Sequence, residues 1–143
     1  MKPPEEVRRE FVRRWMQKAA EDMKAAKHLL ARDAELTHPT AFHAQQAAEK
    51  YLKAVLVWHQ VDFPKTHDIG RLLELVRSVD ARLADLVAGA AALTPYGVEF
   101  RYPADLPEPT RKEARAAVAL ADRVRQAVLR HLRRELGPRG GRG

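Results

Sequence analysis

The chain has 143 residues, no cysteine and a formal net charge of +7. That length suits one domain with its own core, and the lack of cysteine excludes disulfides and thiolate metal sites, in keeping with a cytoplasmic protein. No apolar run approaches the roughly 20 residues that cross a bilayer, and the charged start MKPPEEVRREF reads against a signal peptide. The excess of positive charge favours polyanionic partners such as RNA or nucleotides, or an acidic protein. Asparagine is also absent while Arg and Glu are plentiful, a composition that fits a thermophile.

Pro3, Pro4, Glu5 and Glu6 predict a helix start, with proline in the first turn and acids at the positive end of the dipole. The helix should run to about Arg32 with Phe11, Trp15, Ala19, Ala26, Leu29 and Leu30 inward and Val12 and Met23 at the edges. Asp22 falls within that stripe, where a lone carboxylate is costly unless paired. Asp33–Pro39 reads as a connection. From about Thr40 to Trp58 a central helix places Ala41, Ala44, Ala47, Ala48, Tyr51, Leu52, Ala54, Val55 and Trp58 on one broad face. His43, Gln46, Lys50 and Lys53 form a polar stripe opposite, with Gln45 and Glu49 beside it. Phe42, Leu56 and Val57 lie outside the apolar face and predict a second contact, within the chain or with another subunit.

Pro64 cannot continue that helix, and Thr66 is the expected N-cap of a third over Ile69–Val79. Asp80 should cap a fourth, with Leu83, Leu86, Val87, Ala90 and Leu93 inward and Pro95 ending it. Tyr96–Pro109 is a long loop, of a kind that usually binds or covers something. Thr110 and Glu113 make a capping box for the last helix, which should reach about Leu136. Gly137–Gly143 is expected to be a disordered basic tail, leaving a single domain over residues 1–136. With no strand pattern, repeat or Gly-rich phosphate loop, the fold class is all-α, an antiparallel up-and-down bundle of four to five helices.

Arg125 interrupts the apolar stripe of the last helix as Asp22 does that of the first, so the two are expected to form a structural ion pair. His67 and Asp68 lie at a predicted helix N-terminus, where backbone N–H groups favour an anion that Lys65, Lys50 or Lys53 could meet. Tyr96, Arg101 and Tyr102 could stack on a base and clamp a phosphate. His67 with Arg101, or His43 with Lys50, could supply a base and a cation for acid–base chemistry on a phosphate-bearing ligand. The six histidines are not spaced with carboxylates as a ligand set, so no metal site or cofactor is expected.

Trp15, Ala19, Asp22, Ala26 and Leu29, then FHAQQAAEKYLKAVL, then KTHDI with Leu72 and Leu73, follow one another along the chain. With Leu93, Tyr96, the Arg101-Tyr102-Pro103 run and the alanine-rich last helix, this series resembles the HEPN family, named for nucleotide binding in higher eukaryotes and prokaryotes. The resemblance implies a dimeric antiparallel helical bundle, often encoded beside a minimal nucleotidyltransferase in a toxin–antitoxin-like pair. It also implies, for many members, a metal-independent ribonuclease built on an Arg followed, four to six residues on, by a His near the start of the last helix. This sequence departs from that pattern. Arg125 and His131 have a suitable spacing, but they lie near the end of the helix and roughly 120° apart around it. The expected function is therefore a nucleotide- or RNA-binding partner of a nucleotidyltransferase. The alternatives are a divergent metal-independent ribonuclease and a non-catalytic protein-interaction module.

Overall fold

The first helix, α1 (Pro4–Arg32), carries Glu5 and Glu6 in its first turn and Arg32 in its last, both favourable to the helix dipole. The computed structural model describes residues 4–97 and 107–142, without the side chains of 138–142. Val12, Ala19, Met23 and Ala26 are the buried residues of α1. The buried stripe is thus rotated from the expected one: Val12 and Met23 lie at its centre, and Phe11 is 48% exposed.

A tight turn leads into α2 (Thr37–Trp58), which begins three residues before the predicted start. Pro39 lies in its first turn, where no N–H is missed, and the Thr40 hydroxyl donates to the Leu36 carbonyl at 2.8 Å. The whole predicted apolar face is buried, from Ala41 to Trp58, and so is Leu56. The second contact made by Leu56 therefore lies within the chain. The alanines at 41, 44, 47, 48 and 54 let neighbouring helices approach closely, and α2 touches α1, the last helix and the segments Ile69–Arg77 and Ala88–Gly97.

The remaining elements are α3 (Ile69–Arg77), α4 (Ala81–Leu86), a 3-10 segment (Ala88–Gly97) and α5 (Arg111–Arg142). Asp68, not Thr66, caps α3: its carboxylate accepts from the Arg71 N–H at 3.2 Å, while the Thr66 hydroxyl accepts from the Asp68 N–H at 3.0 Å. Asp80 caps α4 as expected, accepting from the Leu83 N–H at 3.0 Å. The predicted fourth helix, however, ends at Leu86, and the chain continues to Gly97 as a 3-10 segment with Pro95 inside. The capping box of α5 forms in both directions, Thr110 N–H to Glu113 at 2.8 Å and Glu113 N–H to the Thr110 hydroxyl at 3.0 Å. Helical backbone continues to Arg142 beyond a break at Gly137, whose φ of +66° is the left-handed conformation glycine adopts freely.

Side-chain contacts fix the directions. Arg8 donates to the Trp58 carbonyl at 3.1 Å, so α1 and α2 are antiparallel. Trp58 bonds Glu135 at 3.3 Å and Lys27 pairs with Asp122 at 2.9 Å, so α5 runs alongside α2 and against α1. After α2 the chain climbs back to Glu49, descends through α3 to Asp80, and returns through α4 and the 3-10 segment to Gln45. The result is an all-α bundle of five helices and a 3-10 segment, with no strand among the described residues. None of the described helices is long and apolar enough to cross a membrane.

Candidate functional site

Gln45, Glu49 and Lys53 recur every four residues, so they stack on one side of α2, and the chain buries that side. Glu49 accepts from Lys53 Nζ at 2.8 Å, from Gln45 Nε2 at 3.2 Å and from His67 Nδ1 at 2.7 Å. A carboxylate only accepts, so His67 carries a proton on Nδ1 and donates it to Glu49. The contrast in burial is large: the Glu49 side chain is 4% exposed and that of His67 60%. Gln45 also donates to the His67 carbonyl at 2.9 Å and accepts from Gln46 at 2.7 Å. The Lys53 ammonium lies 5.5 Å from the Trp15 ring centre and 5.6 Å from that of Phe63, which supply the apolar walls around it. Gly97 closes the cluster from the far side, since a Cβ there would stand 2.8 Å from the Gln45 side chain.

The neighbouring stripe of α2 reaches α1. Asp22 accepts from His43 Nδ1 at 2.9 Å with one oxygen and from Lys50 with the other. The half-buried carboxylate on the apolar stripe is thus paired, but with α2. The expected Asp22–Arg125 pair does not form. Arg125 bonds Asp122, one turn earlier on its own helix, at 2.9 Å, and Asp122 also takes Lys27. Burial pushes the Asp122 carboxyl up, yet the hydrogen bonds from Lys27 and Arg125 outweigh it and hold the carboxyl below its usual value. Sequence reasoning erred because a charge on each of two helices does not say which third helix lies between them.

Of the residues singled out in the sequence, His67 is the one the structure holds most openly to solvent against a buried partner. Lys65, two residues before it, is exposed. Lys50 is half-buried on Asp22, and Lys53 is corrected from a ligand candidate to a buried structural cation, because its ammonium is committed to Glu49. Asp68 fills the N-terminus of α3 with its own carboxylate, so the anion met by those N–H groups belongs to the protein. Tyr96 is half-buried and its hydroxyl pKa is raised, by burial first and by Glu113 second. Arg101 and Tyr102 lie outside the described residues. Glu49 and Gln45 were missed as members of the site, although their four-residue spacing was the signal.

A second cluster lies where the ends of α2 and α5 meet α4. His131 Nδ1 stands 3.3 Å from Asp80, and its Nε2 stands 2.8 Å from Nε2 of His59. The two imidazoles share one hydrogen bond, and the Asp80 carboxylate lies within ion-pair distance on the other side of the His131 ring. Burial holds the His131 pKa below its usual value and the nearby His59 adds to that, against the pull of Asp80 and Glu135. The Asp80 carboxyl is itself held low, first by the Leu83 N–H. His131 faces this cluster while Arg125 turns to Asp122, so the pair with the family-like spacing is engaged by different partners.

A family model for the HEPN domain matches residues 12–132 of the chain. No match was found among curated proteins or among solved structures.

Proposed function

Because the chain belongs to the HEPN domain family, we propose that it binds a nucleotide or RNA through the His67 side of α2 and serves as the helical half of a nucleotidyltransferase pair. In this reading it works as a homodimer in a toxin–antitoxin-like system. The observation that carries the binding reading is the Glu49–His67 dyad: a buried, braced carboxylate holding an exposed imidazole at 2.7 Å. Glu49 also serves as counter-charge to Lys53, and its bond to His67 holds one surface imidazole in a fixed orientation, as a preorganised binding site requires. Lys65 beside it and a net charge of +7 favour a phosphate-bearing ligand. Tyr96, Arg101 and Tyr102 are the proposed clamp for base and phosphate.

The test is fluorescence anisotropy with ATP-derived and single-stranded RNA probes. Wild type should bind with an affinity that falls steeply with salt, and His67→Ala with Lys65→Ala should weaken binding about tenfold or more. A flat salt response or an indifferent variant would overturn the reading. Co-expression with a minimal nucleotidyltransferase from the same genome tests the partner.

The same dyad favours a second reading, a metal-independent ribonuclease. An imidazole whose Nδ1–H is held by a carboxylate presents Nε2 as a base for the ribose 2′-hydroxyl, and Arg101 would stabilise the phosphorane. RNA cleavage in EDTA that is lost in His67→Ala supports it. Absence of cleavage leaves the binding reading alone.

A further inference from the structure

The helix α4 and the outer side of α5 enclose a cleft well away from Glu49 in the chain. Four arginines rim it: Arg82, Arg123, Arg130 and Arg134. None is ion-paired at contact distance among the described residues, although the charge of Arg134 helps hold the Asp80 carboxyl low; Arg71, Arg77 and Arg125 are paired with Glu74, Asp85 and Asp122. Asp80 is the acid at the edge of this cleft, and it already accepts from the Leu83 N–H and lies against His131. The floor is apolar, made by Leu83, Val87 and Ala127, and Leu86 stands beside it 65% exposed.

Unpaired guanidinium groups around an apolar floor have two complementary needs, carboxylates or phosphates for the rim and an apolar side chain for the floor. No aromatic ring lines the cleft on which a base could stack. An apolar floor rimmed by arginines instead fits a protein interface, where arginine is enriched and the buried centre is more apolar than the rim.

We infer that the α4–α5 cleft docks an acidic segment of a partner protein, its carboxylates on the four arginines and an apolar side chain on Leu86 and Leu83. This surface goes beyond the His67 site, and its test does not depend on nucleotide or RNA binding there.

The probe is a fluorescein-labelled peptide of Glu-Glu-Leu-Leu repeats titrated with the full chain. Saturable binding is expected that weakens as salt screens the contact. Arg123→Glu with Arg130→Glu should weaken it about tenfold or more, and Leu86→Ser about threefold. A Glu-Glu-Ser-Ser peptide should bind more weakly than the leucine-bearing one. All three substituted side chains are exposed, and matching thermal unfolding to wild type confirms that the variants fold. Arg123→Gln with Arg130→Gln gives a milder variant expected to fall between.

No saturable binding, or binding indifferent to the arginine and leucine changes, would overturn the proposal. Equal binding of the serine peptide, or full displacement by single-stranded RNA with the loss tracking the same arginines, would make the cleft a general polyanion surface and overturn it too. Retained RNA binding at His67 in the arginine variants would separate the two sites.

Discussion

The middle of α2 and its C-terminal end each set a carboxylate against an imidazole, yet one cluster opens to solvent and the other closes on itself. At Glu49 the buried carboxylate is the acceptor for three donors, and the histidine it holds points outward. At His59 the order is inverted: the half-exposed acid Asp80 lies at the rim and the buried group is His131. A buried carboxylate with an exposed imidazole leaves a nitrogen for a ligand. A buried imidazole shared between a carboxylate and a second imidazole has both nitrogens spoken for. The same chemistry therefore gives a candidate binding site at one place and a helix-to-helix tie at the other.

The largest effect should come from breaking the first cluster. Glu49→Gln leaves the Lys53 ammonium buried without its counter-charge and should cost about 3 kcal/mol in urea unfolding. Glu49→Leu with Lys53→Met should cost less than either single change, because the desolvated charges leave together. A Glu49→Gln cost near zero would mean that the buried pair is not held in solution. Next comes Gly97→Ala. The added Cβ would meet a Gln45 side chain that is fully buried and hydrogen-bonded on both sides, so a loss of about 1–3 kcal/mol is expected. An unchanged melting temperature would show that Gln45 can move aside and that the cluster is looser than its geometry.

The second cluster predicts a dependence on pH. The pKa of His131 is held below its ordinary value of 6.5, so between the two values the unfolded chain binds more protons than the folded one. Stability from neutral His131 is therefore fully present above about pH 6.5 and is lost as the pH falls through that value toward the lowered one. The nearby His59 also opposes a charge on His131. The melting temperature should fall from pH 7.5 to pH 5.5 in wild type and fall less in His131→Gln. Parallel curves for the two proteins would remove His131 as the cause.

How much of this was legible in the sequence follows from what each feature depends on. The helices, the Thr110–Glu113 box and the Asp80 cap rest on local periodicity and capping chemistry, and those are written in neighbouring residues. The apolar face of α2 was legible for the same reason. Which polar residues are buried was not. Gln45, Glu49 and Lys53 read as flanking or surface groups because their burial comes from Trp15, Phe63 and the His67 connection, all distant in the chain. The His59–His131 contact joins residues on α2 and α5 and has no local sign at all. The break from α4 into the 3-10 segment is a case where an apolar period continued while the backbone did not.

The smallest effect is the one that best distinguishes sequence logic from structure. Two charges on apolar stripes invited the Asp22–Arg125 pair, and that pair would make the double variant Asp22→Asn, Arg125→Met less harmful than its worse member. The observed partners predict otherwise. Arg125 is a third exposed and bonds a residue one turn away, so Arg125→Met should cost no more than about 0.5 kcal/mol. Asp22→Asn should cost more, since it leaves Lys50 half-buried and weakens the hold on His43. With no partner in common, the two costs should add to within about 0.5 kcal/mol. Marked relief in the double variant would restore the direct pair and with it a different packing of α1 against α5. Additivity would instead leave Asp22 tied to the His43–Lys50 stripe of α2, beside the Gln45–Glu49–Lys53 stripe that holds His67.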